Sequence, residues 1–323
     1  MDNLTHSLAG WVLAETGLKR RTRKGLAALV LAANMPDIDV FLGWVPWLPL
    51  ATHRGFTHGL LGGVVVMPPI LAGLLWLLDR WQLSRGTSFR SGLSMHFGWL
   101  LALCYLGAIT HPLLDWQNTY AVQLMSPWNA RWYHNDALFI IDPWIWLTLG
   151  LGIWLSRRRA KRSGPHDGRP AILAALVVVI YIAGNGVISQ WARQAPAAGP
   201  PFANPERAFA SPPPLAFWKR DVVWLEKGRV GRAQYNVFAD HSELARQASL
   251  MPNNLADPIV RQAMHGDPEV EKFLRWSVMT TANVEPEACS AIVTFGDARF
   301  SVLPTRGNFT ESTRVPLRRP GCP

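Results

Sequence analysis

Cysteine is scarce in this chain, with three residues among 323. Cys104 lies inside an apolar run, where it reads as a small packing residue. Cys289 and Cys322 both fall in the C-terminal part, where they either pair in an oxidising compartment or stay as two thiols. Acidic residues are also few, 22 against 32 basic ones, leaving a net charge of +10. The excess collects in short clusters beside apolar runs, such as Arg157-Arg158-Arg159 with Lys161-Arg162. That placement marks the cytoplasmic ends of membrane spans and accounts for the charge without a nucleic-acid partner. No internal repeat and no phosphate-binding glycine loop occur, so nothing points to a nucleotide site. The first apolar segment lacks a basic start and is interrupted by Glu15, and it is not expected to be a signal peptide.

What the chain does have is apolar sequence, nearly all of it in the first 191 residues. Runs at 59–78, 95–109, 137–155 and 171–191 come near the roughly 20 residues that a spanning helix needs. Pro68-Pro69 in the first is a kink that a membrane helix tolerates, and Asp142-Pro143 interrupts the third. Two shorter segments precede them. Residues 2–18 read as a helix capped by Asp2 or Asn3, with Leu4, Leu8, Trp11, Val12 and Leu13 as its apolar positions, and 25–35 form the second. Too short to span alone, they are expected to form a helical hairpin whose second arm ends at Pro36 and presents Asp37 and Asp39 in a turn.

Beyond residue 191 the composition turns to proline, charge and polar residues. The expected fold is an all-α polytopic membrane domain over 1–191, about four spans plus the N-terminal hairpin. A Pro/Ala-rich linker, 192–214, and a small α+β domain, 215–323, follow it. Short β-branched stretches at 221–225, 234–238, 290–295 and 299–303 predict strands, and 256–278 predicts helix.

Potential ligands sit at the edges of these segments. His6 opens the first helix, Asp37 and Asp39 end the hairpin, His53 and His58 precede the first full-length run, and His111 and Asp115 close the second. Neutral imidazoles and carboxylates suit Zn²⁺, Mn²⁺ or Fe²⁺, and seven of them can hold more than one ion. His111 and Asp115, four apart, share a helix face if His111 caps a turn that Pro112 opens. Asp37 and Asp39 would repel each other without a cation between them. His53 and His58, five apart, cannot share a helix face, but a turn at Gly55 lets them converge. Loop charge gives an independent check. Basic residues collect at 19–24, 80–90 and 156–169, so these loops are expected to be cytoplasmic, which puts all seven groups and the C-terminal domain on the opposite side.

The order Thr5-His6…Gly10, Met35-Pro36-Asp37-Ile38-Asp39, His53-Arg54-Gly55-Phe56-Thr57-His58 and His111-Pro112-Leu113-Leu114-Asp115, then Ile140-Ile141-Asp142-Pro143, resembles the YdjM-type family of bacterial inner-membrane proteins, described as metal-dependent hydrolases. The resemblance covers roughly residues 1–190 and leaves out the C-terminal part. That family is similar, at a distance, to the zinc-dependent phospholipase C and nuclease superfamily, whose all-α sites hold several zinc ions and cleave phosphoesters. It implies that His6, Asp37, Asp39, His53, His58, His111 and Asp115 are the metal ligands. It also implies a multi-pass inner-membrane location and hydrolysis of an ester or phosphoester of a lipid or lipid-linked substrate. One departure is Gly59, where the family usually has Ser. On this reading Asp37 or Asp39 bridges ions or acts as general base, and Arg54 clamps an anionic group or anchors a headgroup. His134, Asn135, Asp136 and Asp142 form a second tier, with Asp142 expected to orient a ligand histidine. Trp116, Trp128, Trp132 and Trp144 fit an interfacial belt. The rival readings are a structural or sensing metal site with a C-terminal domain that binds a protein partner, and a transporter. The second needs ionisable groups at mid-membrane depth, which this sequence largely lacks.

Overall fold

The computed structural model describes residues 1–42, 53–163, 168–198, 204–239, 246, 248–300 and 309–317. It divides into two units. The first comprises Met1–Leu42, His53–Val187 and Pro212–Phe217, and the second includes Ile188–Ser211 and Trp218–Pro323.

In the first unit the Asp2 carboxylate accepts from the amides of Leu4 and Thr5 and so starts α1 (Asn3–Glu15). The basic loop follows, then α2 (Gly25–Asn34) and a 3₁₀ segment, Met35–Leu42. A short 3₁₀ turn, Phe56–His58, leads into a π-helical stretch, Leu60–Val66, that continues as α3 (Met67–Ser84). Next come α4 (Phe97–Asp115), α5 (Pro143–Ser163) and α6 (Arg169–Gln194).

Three stretches are long and apolar enough to cross a membrane: Leu60–Ser84, Phe97–Asp115 and Arg169–Ala197. The expected count of four is thereby reduced among the described residues. In α5 the uncharged stretch stops at Ser156, because Arg157-Arg158-Arg159 fall inside the helix rather than after it. It packs on α6 all the same, with Ser156 Oγ accepting the amide of Ala171 at 3.1 Å. A second correction concerns α4, which does not restart at Pro112 but runs straight through it. A proline inside a membrane helix is tolerated where neighbours fill its place.

Small residues let α2 lie against two helices at once. A Cβ on Gly10 of α1 or on Gly107 of α4 would stand 2.6 and 2.5 Å from the carbonyl oxygen of Leu29. Such close approach supplies the packing that holds helices together where no water drives them. Ala14, Ala28, Ala32, Leu103, Cys104 and Ala108 fill the same core. At the far ends of these helices Arg23 pairs with the buried Asp79, Nε to Oδ1 at 2.7 Å, and stands 4.5 Å from the ring of Phe89.

The second unit carries two antiparallel sheets. One is ordered β1 (Arg207–Ser211), β2 (Lys219–Glu226), β3 (Arg229–Asn236), β4 (Ser249–Pro252), and the other β5 (Thr280–Pro286), β6 (Ser290–Asp297), β7 (Thr310–Pro316). Between β4 and β5 lie α7 (Pro258–Ala263) and α8 (Pro268–Trp276), capped by the carboxylates of Asp257 and Asp267. The single helix expected there is broken by Gly266-Asp267-Pro268. β1 falls in the stretch read as linker. Arg299 and Phe300 occupy a turn after β6, and the rest of the strand expected at 299–303 lies outside the described residues. Arg299 is buried against Asp297 (Nη2 to Oδ2 2.8 Å), with the rings of Phe209, Trp276 and Phe300 5.0–5.2 Å away. Cys289 is disulfide-bonded, whereas Cys322 lies outside the described residues.

Candidate metal centre

The seven predicted residues come from four segments and meet at one end of the first unit. α1 supplies His6, the 3₁₀ segment after α2 supplies Asp37 and Asp39, the turn before the π-helix supplies His53 and His58, and α4 supplies His111 and Asp115. They form three linked groups: His6–His111–Asp115, Asp37–His58–His111 and Asp39–His53–His58. His6 stacks on His111 with centroids 3.7 Å apart, and the turn at Gly55 brings the rings of His53 and His58 to 5.1 Å.

The distances between unlike groups are short and numerous. His58 Nε2 lies 3.1 Å from Asp37 Oδ1 and 3.4 Å from Asp115 Oδ2, while its Nδ1 is 3.4 Å from Asp39 Oδ2. His111 Nε2 is 3.3 Å from Asp115 Oδ2 and 3.5 Å from Asp37 Oδ1. His6 Nε2 is 3.5 Å from Asp115 Oδ1, which the amino group of Met1 also contacts. His53 Nδ1 is 3.0 Å from Asp39 Oδ1, and the Thr57 hydroxyl donates to Asp39 Oδ2 at 2.7 Å. Two ligands each about 2.1 Å from one tetrahedral ion lie roughly 3.4 Å apart, the spacing that recurs here.

Hydrogen bonding gives a further test of fit. His111 Nδ1 is 2.7 Å from the carbonyl oxygen of Ala33. A carbonyl only accepts, so that nitrogen carries the proton and Nε2 offers its lone pair to the cluster. There it meets carboxylate oxygens, which are acceptors too. Among the described residues both nitrogens of His6, Asp37 Oδ2 and Asp115 Oδ2 likewise have no hydrogen-bond partner. Such buried groups cost about 1–3 kcal/mol each when unsatisfied. A divalent cation answers this set of lone pairs, so the residues fit a metal ion. Burial alone would raise the carboxyl of Asp39, but the imidazoles of His53 and His58 beside it hold it well below the usual carboxylate range.

Arg54 is buried, its guanidinium between Asp115 Oδ1 (Nη2, 3.3 Å) and Asn118 Oδ1 (Nη1, 2.8 Å), and 4.8 Å from the ring of Tyr120. Gly59 has a local cause, since a Cβ there would lie 2.9 Å from the carbonyl oxygen of Ser126. In the second tier, His134 Nδ1 is 2.8 Å from the buried Asp136, and Asn135 donates to Gln117. Asp142 does not orient a histidine: it caps α5 through the amides of Trp144 and Ile145 and accepts from the hydroxyl of Tyr181. Trp116, Trp128 and Trp144 are exposed, as a belt requires, while Trp132 is half-buried. Sequence reasoning missed Thr57, Asn118, Tyr120 and the Ala33 carbonyl. Thr57 and Asn118 stood beside predicted ligands and carried a weak positional signal, whereas a backbone carbonyl carried none.

A family model described as YdjM inner membrane protein matches residues 1–192. No curated protein and no solved structure matches the chain.

Proposed function

The chain belongs to the YdjM inner membrane protein family, and from that premise we propose that it is a membrane-bound, metal-dependent hydrolase cleaving an ester or phosphoester of a lipid or membrane-associated substrate. The observation that carries this reading is the uneven closure of the three groups. Asp39–His53–His58 reaches the surface through His53, whose side chain is 24% exposed, while the other two groups are buried. A catalytic site keeps a coordination position free for water, which needs access from outside, whereas a structural site is closed by protein ligands.

A divalent ion bound here would supply Lewis-acid polarisation and a water of lowered pKa. His53, His58 and Asp39 would hold it at the open group, and Asp37, between His58 and His111, links that group to the closed ones. Asp39 would also be the nearby carboxylate able to accept a proton. Arg54 offsets anionic charge beside Asp115. The surroundings favour a substrate drawn from lipid. Ile38, Val40, Phe56, Leu60 and Leu113, each next to or within two residues of a ligand in sequence, expose apolar side chains. The basic loops at the opposite helix ends support a periplasmic site, and the Cys289 disulfide supports an oxidising side for the C-terminal domain.

One specific observation favours the rival structural or sensing site, namely that two of the three groups are closed. Elemental analysis of detergent-purified wild type and an Asp37→Ala/Asp39→Ala variant, with hydrolysis of chromogenic phosphate and carboxylate esters, separates them. We expect about two bound ions and turnover in the wild type, with both lost in the variant. Metal retained by the wild type without turnover of any ester supports the structural site instead.

A further inference from the structure

Beside the metal groups stand two donor groups whose hydrogen bonding is incomplete. Asn118 Oδ1 accepts from Arg54 Nη1 at 2.8 Å and from the amide of Tyr120 at 3.0 Å. Both partners are donors, which fixes which end of the carboxamide is oxygen. Its Nδ2 therefore faces the other way, and that atom, on a side chain 2% exposed, has no acceptor among the described residues. Arg54, also 2% exposed, spends one Nη on Asn118 and the other on Asp115, and its Nε has no acceptor among the described residues.

The pair is held rigidly. Arg54 adopts φ +64°, a left-handed conformation unusual for a residue with a Cβ. Its amide is 3.4 Å from Asp39 Oδ2, and its carbonyl accepts from Gln123 at 3.0 Å. Strain of this kind persists where the surroundings over-determine the backbone, and it concentrates at functional sites. Tyr120 packs on the guanidinium and lies 6.0 Å from the ring of His53, a half-buried member of the open metal group. Neutralising Asp115 explains one edge of the guanidinium. It leaves Arg54 Nε and Asn118 Nδ2 without an acceptor among the described residues.

Resting on the hydrolase reading, we propose that Arg54 and Asn118 form an oxyanion subsite that grips the anionic group of the substrate against the Asp39–His53–His58 group. Arg54 Nε and Asn118 Nδ2 donate to the oxyanion, and Asn118 also positions the guanidinium through its Oδ1. Donors fixed in advance, in a water-poor setting, are what recognises an oxyanion.

The test uses the full-length protein in detergent, loaded with zinc, titrated with inorganic phosphate and separately with dihexanoyl phosphatidate. Titration calorimetry reads affinity, and elemental analysis reads metal. The variants are Asn118→Asp, which keeps an acceptor for Arg54 and Tyr120 but puts a carboxylate where the amide was, Asn118→Ser, and Arg54→Lys. The expected result is a tenfold or greater loss of phosphate affinity in Asn118→Asp and Arg54→Lys with zinc content unchanged. Asn118→Ser, the smaller perturbation, decides the matter if Asn118→Asp does not fold. Tighter binding of the lipid phosphate assigns the subsite to a headgroup, and equal binding assigns it to free phosphate; either supports it. Equal affinities across wild type and variants, or no phosphate binding by the zinc-loaded wild type, overturn it. If the wild type retains no metal, the hydrolase reading fails by itself, and phosphate titration of the metal-free proteins decides the subsite on the same comparison.

Discussion

His58 turns one nitrogen toward Asp37 and Asp115 and the other toward Asp39 and Thr57. Among the described carboxylates His53 meets Asp39 alone, and its own side chain is partly exposed. Removing the first should therefore disturb two groups and removing the second only one. His58→Ala and Asp115→Ala are each expected to insert in the membrane yet lose bound metal, and His53→Ala to lose less, as read by elemental analysis of matched preparations. Unchanged metal in both His58→Ala and Asp115→Ala would take those side chains out of the site. At this scale much was legible in advance. An imidazole or carboxylate at the edge of an apolar run is expensive to keep, so its presence is informative without any alignment. Asn118 and Thr57 carry no charge and impose no comparable cost, so their place beside predicted ligands was only a weak signal.

Elements were legible where one period dominates. The apolar runs gave the long helices, and the β-branched stretches gave β2 and β6. Failures came where a local signal competed with the pattern. In α5 a basic cluster was read as the stop that follows a helix, although long side chains let arginines sit within the last turns. β5 and β7 expose polar side chains, Asn283, Glu285, Ser312 and Arg314, and show little apolar alternation, while β4 is only four residues long. β6 ends on Asp297, whose carboxylate also accepts from the amides of Val278 and Met279. Burial alone would raise that carboxyl, but Arg299 and these amides hold it below its ordinary value. With the folded value depressed, its contribution to stability is complete above about pH 4 and is lost as the pH falls through the folded value. Asp297→Asn leaves Arg299 buried without its counter-charge and should cost about 3–5 kcal/mol at neutral pH. Limited proteolysis of the full-length protein across an acid series should find the second unit cleaved sooner in the variant, with less dependence on pH below 4.

For the molecule as a whole, α1, α2 and α3, with the segments that flank them, each run between an end that bears ligands (His6; Asp37 and Asp39; His53 and His58) and an end that bears arginine or lysine (Lys19; Lys24; Arg85). If the positive ends are cytoplasmic, a reporter enzyme fused after Trp191 should be active only outside the cytoplasm. Cytoplasmic activity would invert the site and bring the C-terminal domain to the other face. The hydrogen bond from His111 to the Ala33 carbonyl also sets an upper limit on occupancy. Two of the three groups share His111, and with Nδ1 committed to Ala33 they share a single electron pair at Nε2, which can be given to one ion at a time. Three groups therefore do not make three sites. Zinc titration should saturate at no more than two ions per chain, the second entering through the His53 side, and a third equivalent should stay exchangeable in solution.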